Sequence, residues 1–278
     1  MRDQTDRAAA SDGARQGDAA LGLSMEDLAR EADRFGVSDE QVHRDHAISH
    51  VLAALSDEFA RDVIFFGGTA LSRTHLLHAR LSEDIDLLAL TSRADLADRL
   101  TKTVSRRVLR TLGRVSWEPG FNARDDVQPA VLMTAEGIAI KVQLLSARGY
   151  TSWPVEMRQI EQRYLDARPA TLQVPTISSF AGWKTDAWFA RRASRDLYDL
   201  WALAERGAID ADAVAAYVKF GSTGGPPRPF MFSKAPTGRD WEESLAGQTR
   251  LEIGPEDALL VVRNAWASAQ GEVWDKSV

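Results

Sequence analysis

The sequence predicts a mixed α/β (α+β) fold, a small mixed sheet with helices around it followed by a mainly helical C-terminal part. Three observations predict it. A short apolar run, Val63-Ile64-Phe65-Phe66, ends on Gly67-Gly68, and after a helical stretch a second apolar run begins at Ile85, which is the spacing of strand, turn, helix and strand. Two further apolar runs, Ala130–Thr134 and Ile138–Leu145, flank Ala135-Glu136-Gly137 and read as a hairpin. Elsewhere the apolar residues recur at helical spacing, as in Val42, Ile48, Val51, Leu52 and Leu55.

In order along the chain, Ser24 followed by Met25, Glu26 and Asp27 reads as a helix N-cap, with the helix running to about Phe35. Ser38 caps a longer helix, Asp39–Phe59, in which Val42, Ile48, Val51, Leu52 and Leu55 form a buried stripe. Val63–Phe66 is a strand, Thr69–His78 a helix behind the glycine turn, and Ile85–Leu90 a second strand. Arg93–Leu112 reads as one basic helix, and the hairpin follows it. Pro154–Arg168 begins the helical part, which continues with Phe180–Arg192, Arg195–Arg206 and Asp210–Phe220. Gly221–Ala235, rich in Gly and Pro, is an irregular loop, and a last helix spans Pro255 to about Ala269. The expected organisation is a disordered tail (1–22), a core with N-terminal helices (23–150) and a helical C-terminal domain (151–278).

Bulk composition narrows the function classes. A hydrophobic fraction of 44% fits a soluble globular chain. The absence of cysteine removes disulfides, thiolate metal sites and thiol nucleophiles. No apolar run reaches a membrane span, and the polar first twenty or so residues lack the apolar core of a secretory signal, so a cytoplasmic protein is expected. A net charge of −6 argues against a broad nucleic-acid-binding surface. Yet Arg99, Lys102, Arg106, Arg110 and Arg114 recur on adjoining helical turns with no acidic residue between them. They read either as a solvated helix face or as a basic ridge tracking an RNA backbone.

The chemistry concentrates in residues 67–86. Asp84 and Asp86 lie two apart at a strand start and point to one face. Two such carboxylates repel each other unless a divalent cation lies between them, and Mg²⁺ favours hard oxygen ligands with phosphates completing its shell. Gly67 and Gly68 offer backbone N–H groups that no side chain blocks, ahead of a helix start. A phosphate cradle beside a metal-binding Asp-x-Asp describes a nucleotidyl-transfer site. Ser82 either caps the turn before the strand or lines the triphosphate. His75 and His78 lack a third ligand for zinc and read as ordinary helical residues. The eight tryptophans read mostly as core, with one or two able to stack on a base.

This ordering resembles the DNA polymerase β-like nucleotidyltransferase superfamily. Its wording, Gly67-Gly68-Thr69-Ala70-Leu71 and then Arg80-x-Ser82-x-Asp84-x-Asp86-Leu87, is most similar to the AbiEii/AbiGii (MenT-like) toxin branch, over roughly residues 40–205. The resemblance extends to a helical lysine, an arginine and a basic-Asp-x-x-Asp-Leu element, here Lys184, Arg191 or Arg192, and Arg195-Asp196-Leu197-Tyr198-Asp199-Leu200. It implies a nucleotidyltransferase core, with Asp84 and Asp86 as Mg²⁺ ligands and Asp84, Asp86, Lys184 and Asp196 as catalytic residues. It implies Gly67, Gly68, Thr69, Arg80, Ser82, Lys184 and Arg191 at the nucleotide. Lys184, Arg191 and Arg195 share a face, within roughly 40° at about 100° per residue, provided the helix runs unbroken past Ser194. Asp196 then orients Lys184 or the acceptor hydroxyl, while Asp199 either joins the site or braces the helix.

The superfamily's usual third carboxylate is missing. Gln143 stands where it is expected, and Lys141 on the same face can reach a phosphate. An amide oxygen coordinates weakly and accepts no proton, which leaves activation by Asp196 or a single dominant Mg²⁺. The implied partners are an NTP, the 3′ end of tRNA as acceptor, and a cognate antitoxin restraining the toxin. Nucleotidylation of a protein or small molecule stays open within the superfamily. Gln143 also leaves open a degenerate nucleotide-binding module, against which the intact Asp84 and Asp86 argue.

Overall fold

The computed structural model describes residues 22–122 and 128–274. The expected disordered tail, residues 1–22, lies outside the described residues except for Gly22.

Ser24 and Ser38 cap α1 (Met25–Phe35) and α2 (Asp39–Phe59), their hydroxyls accepting from Asp27 N at 3.0 Å and Gln41 N at 3.4 Å. Strands β1 (Val63–Phe66), β2 (Asp84–Ala89), β3 (Ser116–Trp117), β4 (Ala130–Met133), β5 (Ala139–Ser146), β6 (Val155–Ile160) and β7 (Ala170–Pro175) form one seven-stranded sheet. Its order is β3-β4-β5-β2-β1-β7-β6. The sheet is mixed, as expected: β2 runs antiparallel to β1 and parallel to β5, and β1 runs parallel to β7. The predicted hairpin is the antiparallel pair β4–β5.

Strand alternation decides what faces the core. Ile85 and Leu87 of β2, Phe65 of β1, and Val142 and Leu144 of β5 are buried with Ile48, Val51, Leu52 and Leu55 of α2. Helix α4 (Arg93–Arg107) adds Leu96 and Leu100. Asp84 and Asp86 therefore point to the other face, together with their cross-strand partners Lys141, Gln143 and Phe66. Helix α6 (Ile177–Arg191) comes over that face, and Trp183 stacks on Phe66 with ring centroids 4.9 Å apart. Behind α6 pack α7 (Ser194–Glu205), α8 (Ala211–Phe220), α9 (Gly238–Leu245) and α10 (Pro255–Ala269).

Several elements differ from the sequence reading. The stretch from Pro154 to Arg168, expected to open a helical part, instead supplies β6, which pairs antiparallel with the unanticipated β7 at one end of the sheet. Helix α3 is Gly67–Ser72 rather than Thr69–His78. It stops where the Arg73 side chain is drawn into the interior, bonding Asp45 O and Ser49 Oγ of α2 at 2.9 and 2.8 Å. His75 and His78 thus lie in turns beyond it. The basic helix breaks at Val108 into α4 and a short α5 (Leu109–Leu112). The Gly/Pro-rich loop contains a 3₁₀ turn, Pro229–Phe232, and α9, capped by Thr237, follows it.

His75 carries a pH-dependent part of the stability. It is 3% exposed, and its Nε2–H donates to Pro175 O at 3.2 Å. Burial, aided by the charge of Arg158, lowers its pKa from 6.5 to about 4. Between those values the unfolded chain binds a proton that the folded chain refuses, so stability is full above the higher pH and drains away towards the lower. The expected loss is about 3 kcal/mol. Asp86, held up to about 6, shifts stability the other way across the same window, so urea unfolding at both ends should show the His75 loss as the difference between the native chain and His75→Gln, which keeps a donor towards Pro175.

Candidate active site

The site is built where β1 turns into α3. Gly67 has φ +78, and a Cβ there would lie 2.0 Å from Asp86 Oδ2, so only glycine lets β1 pass this close to the carboxylate. A Cβ on Gly68 would meet Arg80 Nη2 at 2.8 Å and Ser82 Oγ at 2.9 Å. The two glycines thus bring bare backbone against Asp86 on one side and against Arg80 and Ser82 on the other. Helix α3 has six residues, so the cradle rests on open backbone and space more than on a helix dipole. The Thr69 hydroxyl is turned inward and donates to Asp84 O, tying α3 to the start of β2.

Asp86 is pressed by its surroundings. Burial first, and then the charge of Asp84, push its pKa up to about 6, against the pull of Lys184, Arg191 and Arg195. Burial raises Asp84 as well, with Lys141 and Arg195 opposing. Register places Lys141 opposite Asp84 and Gln143 opposite Asp86 on the parallel neighbour β5, where the sequence reading looked for a third carboxylate. The donors on this face are hard oxygens carrying charge that burial disfavours, a set that fits a divalent cation of the Mg²⁺ type.

The opposite wall comes from α6 and α7. Lys184 and Arg191 line the same cleft as Gly67, Gly68, Asp86 and Gln143. Lys184 Nζ reaches Asp196 Oδ1 at 3.1 Å and Asp199 Oδ2 at 2.7 Å. Arg191 donates to Asp196 through Nε at 2.7 Å and Nη2 at 2.9 Å. Asp196, fully buried, is held down to about 2 although its burial opposes ionisation, because Lys184 and Arg191 sit beside it. It positions two cations and is a poor proton acceptor.

The structure chooses between the two arginines. Arg192, with φ 51, ends α6 and turns away, donating to Met231 O, while Arg191 stays in the cleft. The helix is therefore broken before Ser194, and the shared face expected of Lys184, Arg191 and Arg195 on one continuous helix does not exist. Arg191 meets Lys184 at the carboxylate of Asp196, across the break.

Arg80 is a buried brace. Its Nε and Nη2 grip both oxygens of Asp199 at 2.7 and 2.8 Å, and Nη1 bonds Gln248 Oε1 at 2.7 Å and Leu81 O at 3.0 Å. Asp199 thereby joins Arg80, under the glycine cradle, to Lys184 above it. Sequence reasoning missed Trp183 as a lining residue, although it adjoins Lys184. Trp183 lies between Phe66 and Trp153, in a stack that gives the cleft a flat aromatic wall. Gly182 makes room for it: a Cβ there would strike the Trp153 ring at 2.4 Å.

Comparison with solved structures supports the architecture. The chain is similar to MenT4, a nucleotidyltransferase toxin from Mycobacterium tuberculosis, with a TM-score of 0.63 and 22% identity over 92% of this chain and 91% of that one. A structure described as a nucleotidyltransferase from H. pylori gives a TM-score of 0.50 at 14% identity, over 84% of this chain and 96% of that one. At such identities the likeness concerns the fold. No curated protein matches. A family model described as the nucleotidyl transferase AbiEii toxin of type IV toxin–antitoxin systems matches residues 50–269. With its glycine cradle, paired aspartates and lysine wall in place, the chain belongs to the AbiEii family of nucleotidyltransferase toxins.

Proposed function

We propose that this protein transfers a nucleotide from an NTP to the 3′ hydroxyl of tRNA, and that a cognate antitoxin restrains it. The observation that carries the transfer reading is the cleft itself, where Asp86 faces Lys184 and Arg191 across the bare backbone of Gly67 and Gly68. Asp84 and Asp86 are the residues to hold Mg²⁺, which when bound neutralises phosphate charge and activates the attacking hydroxyl. The remaining work falls to the chain. The glycine backbone and the Ser82 hydroxyl receive the triphosphate, and Lys184 and Arg191 balance its charge. Asp196 and Asp199 fix Lys184, and Phe66 and Trp183 line the cleft with apolar surface beside the place of a base. The acceptor oxygen attacks the α-phosphorus, the bond to the bridging oxygen breaks, pyrophosphate leaves, and the acceptor proton passes to solvent. A cytoplasmic location accompanies these substrates, and no helix among the described residues is long and apolar enough to cross a membrane.

The acceptor assignment follows the family resemblance and the basic segment. Arg99 and Arg107 are taken by acids at and beyond the end of α2: Arg99 pairs with Asp62 at 3.1 Å, and Arg107 pairs with Glu58. Lys102, Arg106, Arg110 and Arg114 are exposed and form no close ion pair among the described residues. The ridge is thus narrower than the sequence pattern suggests, and its remaining cations are available to phosphates. Incubation with total tRNA and each labelled NTP in turn tests the reading, with label expected on tRNA and pyrophosphate released. Neutralising Arg106 and Arg110 together should raise the KM for tRNA and flatten its salt dependence, leaving the KM for NTP unchanged. Unaltered tRNA kinetics would reduce the ridge to a solvated helix face.

A further inference from the structure

A second cluster of metal-ligating side chains lies apart from the Asp84–Asp86 face. His46 and His50 stand one turn apart on α2, and both point at Asp166 in the segment between β6 and β7. All three side chains are nearly buried, at 7%, 7% and 6% exposure. His46 Nε2 lies 3.0 Å and His50 Nε2 3.2 Å from Asp166 Oδ2, and the two nitrogens are 3.1 Å apart. Three donor atoms thus make a nearly equilateral triangle.

Hydrogen bonds alone satisfy this triangle poorly. An imidazole Nε2 carries either a proton or a lone pair. If both nitrogens donate to the carboxylate, two N–H groups oppose each other across the N···N contact. If only one donates, the other turns its lone pair on the carboxylate oxygen. A cation accepts all three lone pairs together. Ligands held at about 2.0–2.1 Å around a tetrahedral ion lie about 3.3 Å from one another, close to the edges seen here. Two imidazoles and a carboxylate are a ligand set for Zn²⁺ or a similar borderline cation, whereas Mg²⁺ prefers oxygen. The nearby cation Arg168 is engaged by Asp57 at 2.6 Å, and the edge of the Tyr164 ring closes one side of His46.

We propose that His46, His50 and Asp166 bind one zinc-like divalent cation, separate from the transfer site, that staples residues 161–168 to α2. That segment is worth fixing. Arg163 pairs with Asp45 at 3.0 Å, and its Nη2 bonds Ser72 O, the last residue of α3, at 2.9 Å. Asp45 in turn holds Arg73 at 2.8 Å. The staple therefore backs the residues that end the helix behind the glycine cradle.

The test is metal binding by the full chain, stripped with chelator and then titrated. Co²⁺ alone should give the strong visible absorption of a tetrahedral nitrogen-containing site, saturating at one ion per chain, and Zn²⁺ should displace it and raise the Tm. Asp84→Asn/Asp86→Asn should keep this signal, while His46→Gln/His50→Gln should lose it and the zinc-dependent rise in Tm. Absence of a tetrahedral band in the native chain, which needs no variant to fold, overturns the proposal. So does a band that survives in His46→Gln/His50→Gln or disappears in Asp84→Asn/Asp86→Asn.

Discussion

Asp86→Asn is expected to lower nucleotide transfer by at least about 10³-fold, the upper range for loss of a preorganised charge stabiliser, while the Tm holds or rises. The two outcomes share one cause. Burial and the charge of Asp84 disfavour an ionised Asp86, so an uncharged amide of the same shape relieves the fold. The same substitution removes a ligand and a charge from the point where a cation and triphosphate have to be held. Asp84→Asn should follow in activity with a smaller effect on Tm, since its pKa is raised less than that of Asp86. Pyrophosphate release, read beside a melting curve for each variant, checks this. Full transfer by Asp86→Asn would end the mechanism proposed here. Loss of activity together with a large fall in Tm would make the carboxylate a structural group.

The elements legible in the sequence are those whose signal is local. Ser24 and Ser38 each precede acidic first turns and an apolar stripe, and both helices form where that pattern puts them. The hairpin β4–β5 is legible for the same reason, its two apolar runs being separated by a short turn. Strand β6 is not. Val155–Ile160 alternates exposed and half-buried residues, with Glu156 and Arg158 inside it, as an outermost strand does. Its identity comes from pairing with β7. Strand β7 does carry a local signal, Ala170, Leu172 and Val174 buried in alternation with Thr171 and Gln173, which the sequence reading passed over. The overrun of α3, like the omission of β6, has its origin elsewhere in the chain, because the stop at Arg73 is imposed by Asp45 and Ser49 of α2.

The site divides along the same line. Gly67, Gly68, Asp84 and Asp86 lie within twenty residues of one another, and strand alternation alone aligns the carboxylates. Lys184 and Asp196 are suggested by motif order, yet the bond between them depends on the break at Arg192 that folds α7 back towards α6. The grip of Arg80 on Asp199 spans 119 residues and has no local trace. His46 and His50 are visible as a pair one helical turn apart, but their third partner, Asp166, lies 116 residues beyond His50.

Lys184→Ala should reduce kcat/KM for the NTP by about 10²–10³-fold with little change in Tm. The lysine is buried between two carboxylates, a placement that by itself suggests a purely structural ion pair. The charge count says otherwise. Arg80, Lys184 and Arg191 bring three cations to two carboxylates, Asp196 and Asp199. Without Lys184, Arg80 still grips Asp199 through two bonds and Arg191 still grips Asp196 through two, so neither acid is left unpaired. What disappears is the excess positive charge facing Asp86 and an incoming phosphate. Lys184→Arg should rescue only in part, since a planar fork does not replace a compact ammonium wedged between two acids. NTP titrations and melting curves on the two variants decide the matter: a Tm several degrees lower with normal NTP kinetics would make Lys184 a brace, and the cleft would then have to find its phosphate charge in Arg191 alone.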